Sequence, residues 1–401
     1  RIRYWYNFWR RNTRINIKKP KFILGFCLTK FTKMKKLILS ATMLVSVATF
    51  AQKDELKTLK KIYAKETISE KDLEAYKVAS DALQNLATEE SDKVYAKFYK
   101  VMYPTVVLAS KGNKATMQDQ MKLYSPEYIK EYGAVIDETL EFEKKSGKKI
   151  YTDDLIQEKK QFKESLNALA GSLNKTSKFK ESSALFYSLY LFDPKNEGKA
   201  LNNAAILAVN SSDYKLAEKM YEELVNSEYM KSGMFYFAIN KANDSEEEFS
   251  SREERTRNIS MGFHEKPRDV KVSTTKPDAL KLLAILYSQN GNLDKAKATY
   301  AEARKLSPND EELKKGEFDL YFNTGYSGLA EDDKLVNEIN NSRADKKKYD
   351  ELMLKRKEMF LKSLPDFEKA YSINPNDANI KSILKLTYEI VGQADKAKMI
   401  N

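Results

Sequence analysis

The stretch from Pro277 to Asp310, PDALKLLAILYSQNGNLDKAKATYAEARKLSPND, most strongly constrains how this chain can fold. Leucine, tyrosine and alanine recur there at helical spacing on both sides of Gly291, which predicts two helices joined by a short turn. Small residues fall where the helices must come closest, at Ala284, Ala296 and Ala303. Antiparallel helices about 8–10 Å apart need small side chains at their closest approach. Such a hairpin leaves an apolar face open, so it needs neighbours to cover that face.

The same pattern recurs elsewhere in the chain. Residues 163–196 and 200–230 each carry a full unit, and the first of them closes with Asp193-Pro194. A further second helix contains Phe367 and Ala370. Its partner helix is predicted at Glu311–Thr324, ended by Gly325. The chain closes with the first helix and the start of the second helix of one more unit, which carry Ile383, Leu384, Tyr388, Gly392 and Ala397. Four or five copies in register make a chance alanine pattern in an ordinary helical bundle the weaker alternative.

This recurring pattern of small and large residues resembles the tetratricopeptide repeat (TPR) family over about residues 163–401. The resemblance implies an all-α fold, a right-handed α-solenoid of helix–turn–helix repeats. Between two of the units, Phe235, Phe237 and Ile239 alternate with polar or small residues ahead of Asn243-Asp244. That alternation favours a small β-hairpin as an insertion.

Composition and pattern divide the chain into six predicted parts. They are an upstream extension at 1–33 that we expect to be absent from the mature protein, a signal peptide at 34–51, an N-terminal helical region with degenerate repeats at 52–160, a TPR pair at 161–230, an insertion at 231–276, and a C-terminal TPR region at 277–401 with a polar insertion at 326–349. The two insertions and the segment around residues 349–377 resemble those of secreted TPR proteins of the Bacteroidota.

The signal peptide is predicted from Met34-Lys35-Lys36, the apolar run that follows, and the small residues up to Ala51. Cleavage after Ala51 is expected, with Ala48 as the alternative site. A retained membrane anchor is the other alternative, but the run is short for a permanent span. Because Cys27 is the only cysteine, none follows the cleavage site and the protein is not expected to be a lipoprotein. We therefore expect a periplasmic or secreted protein of a Gram-negative cell.

The net charge of +12 would suggest nucleic acid as a partner if it were spread over the chain. However, residues 1–51 contain 12 of the 70 basic residues and no acidic residue, which leaves 58 basic residues against 58 acidic ones. The charge thus lies in the leader region, and we expect no nucleic-acid partner.

Catalytic motifs are scarce. His264 is the only histidine, and no second histidine stands at zinc-site spacing. No glycine-rich phosphate loop occurs, and serine–histidine and cysteine–histidine chemistry lacks its partners. Carboxylates are plentiful, so a two-carboxylate glycosidase is compatible with composition. Glu246–Glu248 and Asp332-Asp333 lie in the polar insertions, where a solvated surface is the ordinary interpretation. We therefore expect no enzyme activity, no cofactor, no metal and no small-molecule substrate.

The resemblance to TPR proteins implies a partner-binding groove lined by the first helix of each repeat. The groove residues that follow from it are Asn167, Lys199, Asn202, Ile206, Lys281, Ile285 and Ser288. The family's carboxylate clamp uses lysine and asparagine at positions that Asn167 and Gly171 occupy here, so a different specificity is expected. Alternatively, these residues are only solvated.

These observations favour an exported, non-enzymatic TPR scaffold that binds a protein or peptide partner in the periplasm or at the outer membrane. The alternative is an accessory glycan-binding protein of a polysaccharide-uptake system. It is weakened by the missing lipoprotein cysteine and by the absence of tryptophan after Trp9. An enzyme built on a TPR scaffold is a third class, but neither insertion is long enough for a catalytic domain.

Overall fold

A computed structural model describes residues 50–400, apart from a few side chains. The chain divides into two compact units, with the boundary between Leu169 and Ala170. The predicted extension at 1–33 and all but the last two residues of the predicted signal peptide lie outside the described residues. Among the helices of the described part, none is both long and apolar enough to cross a membrane.

In residues 50–169, the described part of the first unit, the regular elements are all helices. They are α1 Phe50–Tyr63, α2 Glu70–Leu86, α3 Glu90–Lys111, α4 Met117–Lys122, α5 Pro126–Ser146 and α6 Thr152–Lys175, the last of which crosses the unit boundary. α2 packs against α1 and α3, and α3 packs against α5. Local chemistry sets the ends: Ser69 and Asp72 form a capping box at α2, and Gly147, with φ +69°, ends α5.

The core of the first unit is unusually rich in tyrosine. The rings of Phe98 and Tyr151 stack with centroids 5.0 Å apart, and the Tyr76 hydroxyl donates to the Tyr99 carbonyl at 2.8 Å. The Tyr99 and Tyr151 hydroxyls also share a hydrogen bond. The buried hydroxyls of Tyr76, Tyr99 and Tyr151 therefore each have a polar partner, as buried tyrosines usually do.

The second unit contains helical hairpins and one insertion with strands. Its elements are α7 Phe179–Phe192, α8 Gly198–Asn210, α9 Tyr214–Asn226, α10 Glu228–Ser232, β1 Met234–Asn240, β2 Glu246–Phe249, α11 Arg252–Ser260, β3 His264–Lys271, α12 Lys276–Gln289, α13 Leu293–Leu306, α14 Glu311–Ser327, α15 Asp332–Asn341, α16 Lys346–Ile373, α17 Ala378–Val391 and α18 Ala394–Met399.

The helices of this unit stack in chain order. α8 packs between α7 and α9, α9 packs on α12, and the series continues through α13, α14, α16, α17 and α18. The insertion at β1–β3 does not interrupt the stack, because α9 contacts α12 directly. A stack of neighbouring hairpins is the arrangement of an α-solenoid, as predicted.

The small residues lie where the sequence pattern requires them. Ala284, Ala296 and Ala303 are completely buried in the α12–α13 hairpin. Ala204 and Ala217 are equally buried in the α8–α9 hairpin. Close approach of paired helices thus explains the alanine spacing, and the prediction of TPR-like hairpins is confirmed.

The predicted β-hairpin is confirmed, but it belongs to a larger sheet. The strand order is β2-β1-β3, with β1 antiparallel to both neighbours. Sequence reasoning missed β3 because HEKPRDVK has no alternation of polar and apolar residues and contains a proline. β3 forms because β1 presents a free edge beside it.

One predicted helix end was wrong. α14 continues through Gly325 to Ser327 and does not end before this glycine. A Cβ atom at Gly325 would lie 2.7 Å from a ring carbon of Phe367 in α16. Gly325 therefore allows a close contact between α14 and α16, and it does not terminate the helix.

Candidate partner-binding surface

The seven predicted groove residues are distributed over both units. Asn167 is exposed on α6 in the first unit. The other six lie in the second unit, three on α8 and three on α12: Lys199, Asn202, Ile206, Lys281, Ile285 and Ser288. The role of these seven residues in binding a partner stays a prediction.

Lys199 is exposed on the first turn of α8 and already has a partner within the chain. Its Nζ lies 2.6 Å from Glu248 Oε1 of β2. Ion pairs between exposed side chains contribute about 0–1 kcal/mol, so a ligand carboxylate can compete for this lysine at little cost. The pair joins the start of α8 to the sheet.

Lys281 is in a different position. It is 5% exposed, and its Nζ lies 3.0 Å from Glu312 Oε2 of α14 and 3.5 Å from Asp278 Oδ1. The pair with Glu312 links α12 to the next helical hairpin. Because a buried ammonium group needs a compensating charge, the structure accounts for Lys281 without any ligand.

The other four α8 and α12 residues are half-buried. Asn202 and Ser288 offer hydrogen-bonding groups, whereas Ile206 and Ile285 offer apolar surface. This mixture of partly exposed apolar and polar side chains on first helices is suited to a peptide chain, which needs both kinds of contact.

The sheet has one face covered by α11. Ala238 is 1% exposed on that face, and the Arg255 guanidinium lies 5.4 Å from the centre of the Tyr236 ring. Arg255 Nη1 also donates to the Arg268 carbonyl at 3.0 Å and to Asp269 at 2.5 Å. Hydrogen bonding by Arg252 and then by Arg255 holds the pKa of Asp269 below its usual range. These contacts fix the helix on the sheet.

The opposite face carries half-buried Phe235, Phe237 and Ile239. The rings of Phe235 and Phe237 have centroids 6.1 Å apart. The Arg268 guanidinium lies 4.7 Å from the centre of the Phe237 ring, and both of its donating nitrogens bond the Glu246 carboxylate, at 2.8 and 2.7 Å. This face is thus apolar along β1 and charged along the two flanking strands.

The sheet face and α8 are neighbours. Glu248 stands opposite Phe237 in the β1–β2 register, so the two side chains share a face, and Glu248 binds Lys199. On the other side, the Tyr229 ring of α10 lies 6.4 Å from the Phe235 ring. The insertion therefore extends the predicted groove surface of α8 with an aromatic face that sequence reasoning did not include.

Glu246–Glu248 form a strand, and Glu246 and Glu248 are exposed, as expected of a solvated surface. Each of the three carboxylates has a partner, with Arg268, His264 and Lys199 respectively. The His264 Nε2 atom lies 2.9 Å from Glu247 Oε2, and this contact, followed by the amide of Asn240, lowers the pKa of Glu247. The carboxylates of β2 are thus engaged in contacts that stabilise the sheet.

No group of three or more histidine, cysteine or acidic side chains is placed to hold a metal ion between residues 50 and 400. Asp332, in the polar insertion before α16, accepts hydrogen bonds from Nε and Nη2 of Arg356 at 2.7 and 2.8 Å. This bidentate pair attaches α15 to α16.

The first unit contains a buried carboxylate that no sequence signal indicated. Glu143 is fully buried and accepts the backbone N–H groups of Tyr151 and Thr152 at 2.9 and 2.8 Å. It also accepts the Tyr95 hydroxyl at 3.2 Å. Because the N–H groups at the start of α6 lack partners within the helix, Glu143 serves as a cap supplied by another helix.

No protein-family model matches the chain, and no curated protein matches it. Among solved structures, a tetratricopeptide repeat protein from Parabacteroides merdae is similar, at 17% identity and a TM-score of 0.23, over 84% of this chain and 98% of that one. Yeast Tom70 is similar at 11% identity and a TM-score of 0.23, over 94% of this chain and 66% of that one. The TPR domain of P58(IPK) is similar at 15% identity and a TM-score of 0.15, over 86% of this chain and 99% of that one.

With TM-scores this low, the assignment of the fold depends on the helix contacts themselves. Those contacts are the completely buried alanines between paired helices and the stacking of α8 through α18 in chain order. In both respects, the helical hairpins of the second unit resemble tetratricopeptide repeats.

Proposed function

We propose that the protein is a scaffold that binds a protein or peptide partner through the second unit. The binding surface comprises the groove residues of α8 and α12 together with the open face of β1. The observation that carries the proposal is the continuity of α8 with the sheet. The exchangeable Lys199–Glu248 pair joins the first turn of α8, the helix that carries half-buried Ile206, to the strand that lies opposite half-buried Phe237.

The physical basis is the composition of this surface. Partly exposed aromatic and aliphatic side chains supply area that a partner can bury, at about 25 cal/mol per Å². Charged side chains at the margin, already paired with each other, can exchange partners at small cost. A surface of this kind favours recognition of another chain and supplies no reacting groups.

The glycan-binding alternative has less support. A sugar would need an exposed ring face, and the Arg268 guanidinium occupies one face of Phe237 at 4.7 Å. Displacing the arginine would also separate it from the Glu246 carboxylate. A peptide can instead use the guanidinium as a hydrogen-bond donor.

We further propose that the scaffold is exported to the periplasm or the cell surface. The support is the basic, apolar and small-residue sequence of 34–51. Sequencing the N-terminus of protein recovered from the envelope fraction tests this proposal. We expect Gln52 as the first residue, and a cytoplasmic protein that retains residues 34–51 would contradict export.

Cross-linking and affinity capture from the native envelope, followed by mass spectrometry, tests the scaffold proposal. The full chain is compared with Ile206→Glu, which places a charge in the groove surface. Leu306→Glu is the matched control, because Leu306 is 51% exposed on the second helix α13. We expect Ile206→Glu alone to lose the captured partners. Equal capture by both variants, or binding of a glycan array at micromolar affinity, would contradict it.

A further inference from the structure

The backbone of β1 bonds alternately to its two neighbours. The Asn240 N–H donates to the Ser245 carbonyl on the β2 side at 2.8 Å, whereas the Lys241 N–H donates to the Phe263 carbonyl on the β3 side at 3.0 Å. Because hydrogen-bonded pairs alternate along an antiparallel ladder, even-numbered residues of β1 bond to β2 and odd-numbered residues bond to β3.

This alternation determines which backbone N–H and C=O groups of β2 form hydrogen bonds with β1. Glu247 stands opposite Ala238 and Phe249 stands opposite Tyr236, so these two residues bond to β1. The N–H and C=O groups of Glu246 and Glu248 must then point away from the sheet. Within residues 50–400, no backbone group from another element bonds to them, and both residues are exposed.

The two edges of the sheet differ. In β3, Pro267 lacks an N–H, Lys266 has a positive φ of +50°, and the register shifts opposite Phe237 to Ile239. Proline, bulges and irregular backbone are among the features by which proteins prevent a further strand from pairing. β2 is short and acidic, but it has no proline, no bulge and no positive φ, so its outward N–H and C=O groups keep the regular spacing that another strand needs.

The charge of the side chains near the outer edge of β2 determines which kind of strand can pair with it. Residues 241–254 contain six acidic residues, three of them consecutive in β2, and only two basic ones, Lys241 and Arg252. Like charges on adjacent strands are destabilising and opposite charges are favourable, which disfavours pairing between β2 strands of two copies. We propose that the outer edge of β2 binds an extended, basic segment of a partner protein as an added strand.

The added strand would bond to the N–H and C=O groups of Glu246 and Glu248. Its basic side chains would lie beside these carboxylates, in competition with Arg268 and Lys199. This mode of binding goes beyond the scaffold proposal and does not depend on it, because the edge belongs to the insertion and not to the helical groove.

The test uses the full chain and a fluorescent peptide of alternating lysine and valine, with binding followed by anisotropy. Glu248→Pro removes the outward N–H without removing a hydrogen bond of the sheet. Glu248→Ala is its matched control, because it also loses the Lys199 pair but keeps the N–H. We expect Glu248→Pro to bind at least about tenfold more weakly than Glu248→Ala, the effect of losing a main-chain hydrogen bond and of steric blocking by the ring.

Two peptide controls keep the result independent of the variant's folding. A peptide that is N-methylated on the bonding edge should bind the unaltered protein at least about tenfold more weakly, and so should an alternating glutamate and valine peptide. Equal binding of Glu248→Pro and Glu248→Ala, or of the methylated and unmethylated peptides, would overturn the proposal. So would dimerisation of the chain through β2 in sedimentation experiments. If Ile206→Glu loses partner capture but still binds the peptide, the helical groove and the β2 edge act as independent binding sites.

Discussion

Substituting Gly198 by alanine tests the packing that attaches the β-insertion to the helical stack. Gly198 is the first residue of α8 and is buried against Tyr229 of α10. A Cβ atom at Gly198 would lie 2.1 Å from Tyr229 Cβ and 2.3 Å from its Cγ. Carbon atoms pack at about 3.5–4.0 Å, and turning the ring would not move Tyr229 Cβ, so α8 and α10 must separate by roughly 1.5 Å.

Two effects of opposite sign determine the free energy of unfolding of Gly198→Ala. Alanine stabilises a helix by at most about 1 kcal/mol relative to glycine. Overpacking a close contact costs about 1–3 kcal/mol. Because the atoms would overlap so strongly, we place the cost at the upper end and expect a net loss of about 2 kcal/mol.

The measurement is urea denaturation of the full chain followed by circular dichroism, with the transition of the second unit fitted. Gly171→Ala in α6 is the matched control, because nothing lies within 4 Å of a Cβ atom there. It should gain about 0.5–1 kcal/mol from helix propensity alone. In a Tyr229→Gly background, which removes both the Cβ atom and the ring, Gly198→Ala should become neutral or stabilising. A Gly198→Ala chain as stable as the parent, with Tyr229 present, would refute the packing argument.

Three further measurements test the electrostatics. Hydrogen bonding from Tyr287 lowers the pKa of Glu222 below its usual 4.5. The ionised carboxylate therefore stabilises the fold at neutral pH, and this stabilisation is lost as the pH falls through the lowered pKa. Between pH 5 and pH 3, the Tm of the parent should fall more steeply than the Tm of Glu222→Gln. Burial raises the pKa of Glu158, so ionisation of this side chain destabilises the fold above pH 4.5. Glu158→Gln should therefore raise the Tm at pH 7, and this increase in Tm should shrink towards pH 4. Lys281→Met should stay within about 1 kcal/mol of the parent in thermal unfolding. Glu312→Ala should cost about 1–3 kcal/mol, because it removes the nearer of the two carboxylates beside the buried Lys281 ammonium.

Local patterns were sufficient for the helical hairpins. Ala284 and Ala296 are close in sequence and are completely buried in two packed helices joined by one short turn, so their burial follows from helical periodicity and turn chemistry alone. The strand β3 could not be found in this way. Its residues have no periodicity of their own. They form a strand through hydrogen bonds to β1, from which β2 and α11 separate them along the chain.

The binding surface shows the same limit more sharply. Sequence spacing assigned both Lys199 and Lys281 to the groove face of a first helix, yet one is exposed beside Glu248 and the other is buried against Glu312. That difference depends on which distant carboxylate the fold brings within reach.

The sequence by itself thus determined that the chain forms paired helices with alanine contacts, because these contacts repeat at short range. Only the tertiary structure decided which charges are already paired, that a glycine at position 198 is needed beside Tyr229, and which edge of the sheet is open. The physical reason is that ion pairs, close contacts and strand edges depend on residues far apart in the chain, whose meeting no local pattern encodes.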